Sequence, residues 1–129
     1  MENCNKCATP MEINSKHKPE EKCDDDESDT NWPYRELIGC LNYLSNATRP
    51  DIANAVSKLS QKVTNPEKSD WKSAKRVLRY LKGTIQRSLV YKKTSNCIQG
   101  FSDADWGNCL LDRRSYSGYA FILGGACIS

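Results

Sequence analysis

The sequence predicts an α+β chain, a small helical bundle followed by about three antiparallel strands. Three observations lead there. Apolar residues recur at helical spacing from Tyr34 to Leu81, the period shortens beyond Gly83 to that of strands rich in Ile, Phe and Tyr, and Pro, Asn and Gly mark the junctions. A chain of 129 residues, 38% hydrophobic and 27% charged, suits one small domain or two incomplete ones and excludes a large multi-domain enzyme.

Residues 1–31 hold four lysines against nine acids, with few large apolar side chains and the run Asp24, Asp25, Asp26, Glu27, Asp29. Such a composition buries too little surface to offset its ordering entropy, so the segment reads as an acidic, disordered tail or linker. The helical region is expected over 32–93. Tyr34, Leu37, Ile38, Leu41 and Leu44 mark a first amphipathic helix that stops before Asn46 and Arg49-Pro50, with Cys40 as a small core residue. Pro50 and Asp51 suit the start of a second helix, whose stripe is Ile52, Val56, Leu59 and Val63 and whose end is Asn65-Pro66. Asn65 or Ser69 caps a third, with Trp71, Ala74, Val77, Leu78 and Leu81 on one side and Gly83 as the stop. Residues 94–129 read as strands: Ile98 to Trp106, then Tyr116 to Leu123, with Ser88 to Lys92 as a further short strand before them. The chain ends at Ala126-Cys-Ile-Ser129, within what reads as another strand, which predicts a truncated fold with an open edge and a tendency to self-associate.

Charge is unevenly placed. Residues 1–31 carry a net −5 and residues 32–129 a net +8, while Lys68–Lys93 alone holds nine basic residues and one acid. On the third helix Lys72, Lys75, Arg76, Arg79 and Lys82 form a stripe centred roughly 130° from the apolar one. Such a stripe neutralises phosphates without reading base sequence, so it is the candidate nucleic-acid face; a solvated helix face is the plainer reading. Trp71 and Tyr80 are assigned to packing rather than to base stacking.

The seven cysteines are scattered and odd in number, which argues against a disulfide framework and for reduced thiols inside a cell. No run reaches the ~18 apolar residues of a membrane span, and the first ten residues lack signal-peptide order. Cys4-Asn-Lys-Cys7 with His17 and Cys23 supplies four zinc-compatible ligands. Their spacing is looser than a zinc knuckle's, since nine residues separate Cys7 from His17 and five separate His17 from Cys23.

Three blocks, PYRELIGCLNYLSNATRPDIANAVSKLSQ, WKSAKRVLRYLKGT and GFSDADWGNCLLDRRSYSGYAFILGGACIS, resemble in order and spacing the Pol polyprotein of copia-type LTR retrotransposons. The resemblance implies the helical thumb and connection region that ends reverse transcriptase, followed by the first strands of a ribonuclease H domain. It implies a template-primer or RNA/DNA hybrid as partner of the parent protein, and no membrane. The family's polymerase needs an adjacent aspartate pair on a palm hairpin, and the run Asp24–Asp26 has no strand context to be one. Ribonuclease H chemistry uses converging carboxylates on two Mg²⁺ ions. The resemblance makes Asp103 the first of these, with Asp105 beside it, and places the others past Ser129. One carboxylate cannot hold the two ions, so Asp103 is expected to be vestigial and no cofactor is expected in this chain. Arg113-Arg114 falls in the hairpin after the first strand, a turn with phosphate contact as its alternative role. The implied function is a catalytically inert Pol fragment; a retained nucleic-acid-binding module and a small zinc protein are the alternatives.

Overall fold

A computed structural model describes residues 4–12, 32–105 and 115–128, in two units, Met1–Arg87 and Ser88–Ser129. The first unit is helical and the second is a sheet.

In the first unit α1 spans Tyr34–Ala47, a 3-10 turn Pro50–Ile52 leads into α2, Ala53–Ser60, and α3 spans Lys68–Gly83. Pro33 stands at the head of α1, where a missing N–H costs nothing, and its carbonyl accepts from Leu37 N at 3.0 Å. Pro50 plays the same part in the 3-10 turn. Each helix buries one stripe: Tyr34, Ile38 and Leu41 from α1, Ile52, Ala55, Val56 and Leu59 from the turn and α2, Ala74, Val77 and Tyr80 from α3. Leu37, Val63, Trp71, Leu78 and Leu81 border this core, and Trp71 stacks on Trp32 with ring centroids 6.2 Å apart.

Two polar ties cross it. Tyr34 Oη donates to Leu59 O at 2.9 Å, joining the start of α1 to the end of α2. Arg49, 8% exposed, donates through Nε and Nη2 to the two Asp51 carboxylate oxygens at 3.0 and 2.8 Å, and through Nη1 and Nη2 to Thr84 O and Oγ1 at 3.2 and 2.6 Å. Tyr80 Oη donates to Asp51 Oδ2 at 2.6 Å and accepts from Arg87 at 3.0 Å, with the Arg49 guanidinium over its ring. This node fastens the entry of α2 to the exit of α3.

The Tyr34 tie carries a pH signature. Burial, reinforced by the Asp70 charge, pushes the phenol up to about 12. A raised folded value means that stability present below the unfolded phenol value, about 10, is lost as pH rises toward the folded one. The urea midpoint of the chain is therefore expected to fall more steeply between those values than that of Tyr34→Phe. Parallel curves for the two proteins would refute this account.

Several expectations need correction. Cys40 is exposed rather than a core residue, and Leu44 sits at the rim, 36% exposed, while Ser45 is buried with its hydroxyl on Asn42 O at 2.8 Å. The cap of α3 is Glu67, in a reciprocal capping box with Asp70, rather than Asn65 or Ser69: Glu67 N donates to Asp70 Oδ2 at 2.9 Å. Gly83 is the last residue of α3, and Thr84 follows as its cap.

In the second unit β1 (Gln99–Asp105), β2 (Tyr116–Leu123) and β3 (Ala126–Cys127) form an antiparallel sheet in the order β1-β2-β3. Gly124 and Gly125, with φ of 62° and 85°, make the tight turn from β2 to β3. Only glycine suits Gly124, since a Cβ there would lie 2.8 Å from Lys92 O. The strand expected at Ser88–Lys92 is absent; that segment makes one backbone bond to the turn, Lys92 N to Gly124 O at 2.8 Å. Among the described residues no strand pairs with Val90 and Tyr91, and residues of high strand propensity do not form a strand without a partner. Phe101, Tyr119 and Phe121 remain 57%, 70% and 42% exposed, so this sheet has little core of its own. Among the described residues, no helix is long and apolar enough to cross a membrane.

Candidate nucleic-acid interface

The capping box starts α3, and the inward spacing of Ala74, Val77 and Tyr80 fixes its rotation. Lys72, Lys75, Arg76, Arg79 and Lys82 are thereby placed outside the core along about 15 Å of helix, the reach of about four phosphates on one strand. Lys72 is exposed, whereas Lys75, Arg76, Arg79 and Lys82 are half-buried.

Residues 4–12, the described part of the expected acidic tail, lie against Arg76, Arg79 and Lys82. Cys7 and Met11 pack against the helical core, and Cys7 N donates to Arg79 O at 3.4 Å. Arg76 pairs with Glu12 through Nη1 at 2.8 Å and donates from Nη2 to Thr9 Oγ1 at 3.1 Å. Arg79 Nε donates to Asn5 O at 2.8 Å and Lys82 Nζ to Cys4 O at 3.2 Å. The segment crosses the helix end closely, since a Cβ on Gly83 would lie 3.3 Å from Lys6 Cβ. We call residues 4–12 the strap.

The structure thus gathers all five basic residues on one helix and adds a set of partners that sequence reasoning misses. Little in the sequence reveals them. Two of the partners are backbone carbonyls, which every residue has, and the strap's own sequence has no run of large apolar residues.

Asp103 lies in β1, paired with Gly118, and its side chain is exposed. Asp105 pairs with Tyr116 in the same register. Among the described residues no group of three or more His, Cys, Asp or Glu could hold a metal ion. Two Mg²⁺ ions need several converging carboxylates, and among the described residues β1 does not supply such a set. Of the zinc-compatible set, Cys4 and Cys7 lie on the strap with Cys4 Sγ 3.9 Å from Lys82 Nζ, while His17 and Cys23 lie outside the described residues. Arg113 and Arg114 also lie outside them.

No family model and no solved structure matches the chain. Curated proteins do. Secreted RxLR effector protein 161 of Plasmopara viticola is 44% identical over 100 residues, covering 77% of this chain and 70% of that protein. The retrovirus-related Pol polyprotein from transposon TNT 1-94 of Nicotiana tabacum is 39% identical over 97 residues, 75% of this chain but 7% of the polyprotein. An uncharacterized mitochondrial protein of Arabidopsis thaliana is 38% identical over 130 residues, the whole of this chain and 52% of that one. The chain thus spans about half of the third relative and a small part of the second.

Proposed function

Because this chain belongs to the family of retrotransposon Pol polyproteins and their shorter relatives, of copia-type origin, we propose that it is the part of Pol joining the end of reverse transcriptase to the start of ribonuclease H. Its own contribution is contact with the nucleic-acid backbone rather than catalysis. One observation carries this reading: α3 holds five cations in a single row outside the core, aligned by the residues that pack the core. Cations so placed meet phosphates in sequence and read no bases, as suits a protein region that holds whatever template-primer or RNA/DNA hybrid is being copied. Asp103 is given no catalytic role in this reading, because two ions need several carboxylates and no group of three or more ligating residues gathers among the described residues.

The test is hybrid binding measured by fluorescence anisotropy with a labelled 20-base-pair RNA/DNA duplex at several salt concentrations. The chain is expected to bind with affinity that falls as salt rises. Replacing Lys75, Arg76 and Arg79 together by alanine is expected to weaken binding and to flatten the salt slope by about two to three units. Binding that ignores both salt and the substitutions refutes the reading. So does cleavage of the RNA strand in magnesium that is lost in Asp103→Asn.

A further inference from the structure

We infer that the strap is an internal competitor of nucleic acid for α3, occupying Arg76, Arg79 and Lys82 until phosphates displace it. This rests on the backbone-contact reading above and concerns how that face is regulated.

The contacts themselves point to competition. Glu12 gives Arg76 a carboxylate where a phosphate oxygen would sit, and the carbonyls of Asn5 and Cys4 satisfy Arg79 and Lys82 in the same way. A guanidinium that pairs with a carboxylate also pairs with a phosphate, so strap and polyanion ask for the same donors. They cannot both have them.

The strap is also weakly held. The Arg76–Glu12 pair is partly in water, with side chains 26% and 57% exposed, where ion pairs contribute little. Closure leaves Arg76 Nε buried without a hydrogen-bond partner among the described residues, a desolvation that opening would relieve. Beside those side-chain contacts, the strap is held by two half-buried side chains, Cys7 and Met11, and one long backbone bond. A duplex offering several phosphates in register replaces the strap's acceptors on Arg76, Arg79 and Lys82 at once, and releases counterions as it does so.

Two measurements on the full-length chain test this. In the first, Glu12→Gln is titrated with the labelled RNA/DNA duplex beside the parent chain and Glu36→Gln, which removes an exposed acid from α1 instead. Glu12→Gln is expected to bind roughly threefold more tightly, with Glu36→Gln close to the parent, since one surface pair is released. In the second, hydrogen exchange at the Cys7 amide is followed with and without saturating duplex. Exchange is expected to accelerate in the complex as the bond to Arg79 O is given up. Parent-like affinity of Glu12→Gln, or an equal gain in Glu36→Gln, overturns the inference. So does a Cys7 amide that is unchanged or slower in the complex, which would make the strap part of the binding surface. In each of these cases salt-dependent binding that is lost on replacing Arg76 and Arg79 leaves the backbone-contact reading standing. Absence of salt-dependent binding in every variant removes both.

Discussion

Asp51→Ala is expected to destabilise the helical unit by about 2–3 kcal/mol, the upper part of the range for leaving a buried donor without its partner, because Arg49 is enclosed although the Asp51 side chain is 33% exposed. Arg49 is the reason. Its side chain is 10% exposed, and Asp51 supplies its carboxylate partner among the described residues, through two bonds of 3.0 and 2.8 Å. Removing that carboxylate leaves a guanidinium enclosed by Thr84 and the Tyr80 ring, and strips Tyr80 Oη of its acceptor. A unit of this size has a total stability of about 5 kcal/mol, so most of the protein is expected to be unfolded in mild urea. Arg49→Met makes the decisive comparison, because it removes the charge along with its need for a partner and fills similar volume; its loss is expected to be smaller than that of Asp51→Ala. Equal urea midpoints for Asp51→Ala and the parent chain would show that the node contributes nothing. The same geometry sets an acid limit. The Arg49 hydrogen bonds, with help from Tyr80, hold the Asp51 carboxyl below its usual value against the opposing effect of burial. A depressed folded value means that the stabilisation is complete above the unfolded value of about 3.9 and is lost as pH falls below it toward the folded one.

Much of this is legible in the sequence, and the misses have physical causes. The three helices and the antiparallel sheet follow from periods that survive any detail of packing. Asp51 reads as a residue for a helix start and stands at one, but its bond to Arg49, and Tyr80's to it across 29 residues, need the fold. The cap of α3 is hard to place because Asn and Ser lead the usual preferences, whereas Glu67 works here through a reciprocal bond with Asp70. The segment Ser88–Lys92 has the composition of a strand but makes only one bond to the Gly124 turn, and pairing is not written in composition. The basic row on α3 is visible because a row needs only spacing. What lies across it is not, because the strap recognises arginine and lysine with backbone oxygens and a single glutamate from a region whose charge suggests a tail.

Leu41→Ala is the second large effect, expected to destabilise the same unit by about 2–5 kcal/mol by removing buried surface and leaving a cavity. Leu41 is 1% exposed, enclosed in the core where α1 meets the second and third helices. On a helix wheel it falls about 40° from the mean direction of Tyr34, Ile38 and Ser45, whereas Leu44 lies roughly 100° away and Cys40 about 140°. Those angles explain why an apolar label alone misplaces Cys40 and overrates Leu44. They also set the comparison: Leu44→Ala is expected to cost well under half as much, and Cys40→Ala to change stability by less than about 0.5 kcal/mol. Urea denaturation of the three variants gives the ranking directly, and a slope like that of the parent chain would show that the folded surface is unchanged. If Leu41→Ala and Leu44→Ala proved equally harmful, the rotation of α1 would be wrong. Because α3 packs on the same core through Val77 and Ala74, each 0% exposed, a loosened core also loosens the row of cations above it. Hybrid binding by Leu41→Ala should therefore fail at the temperature where the unit melts and be close to that of the parent below it.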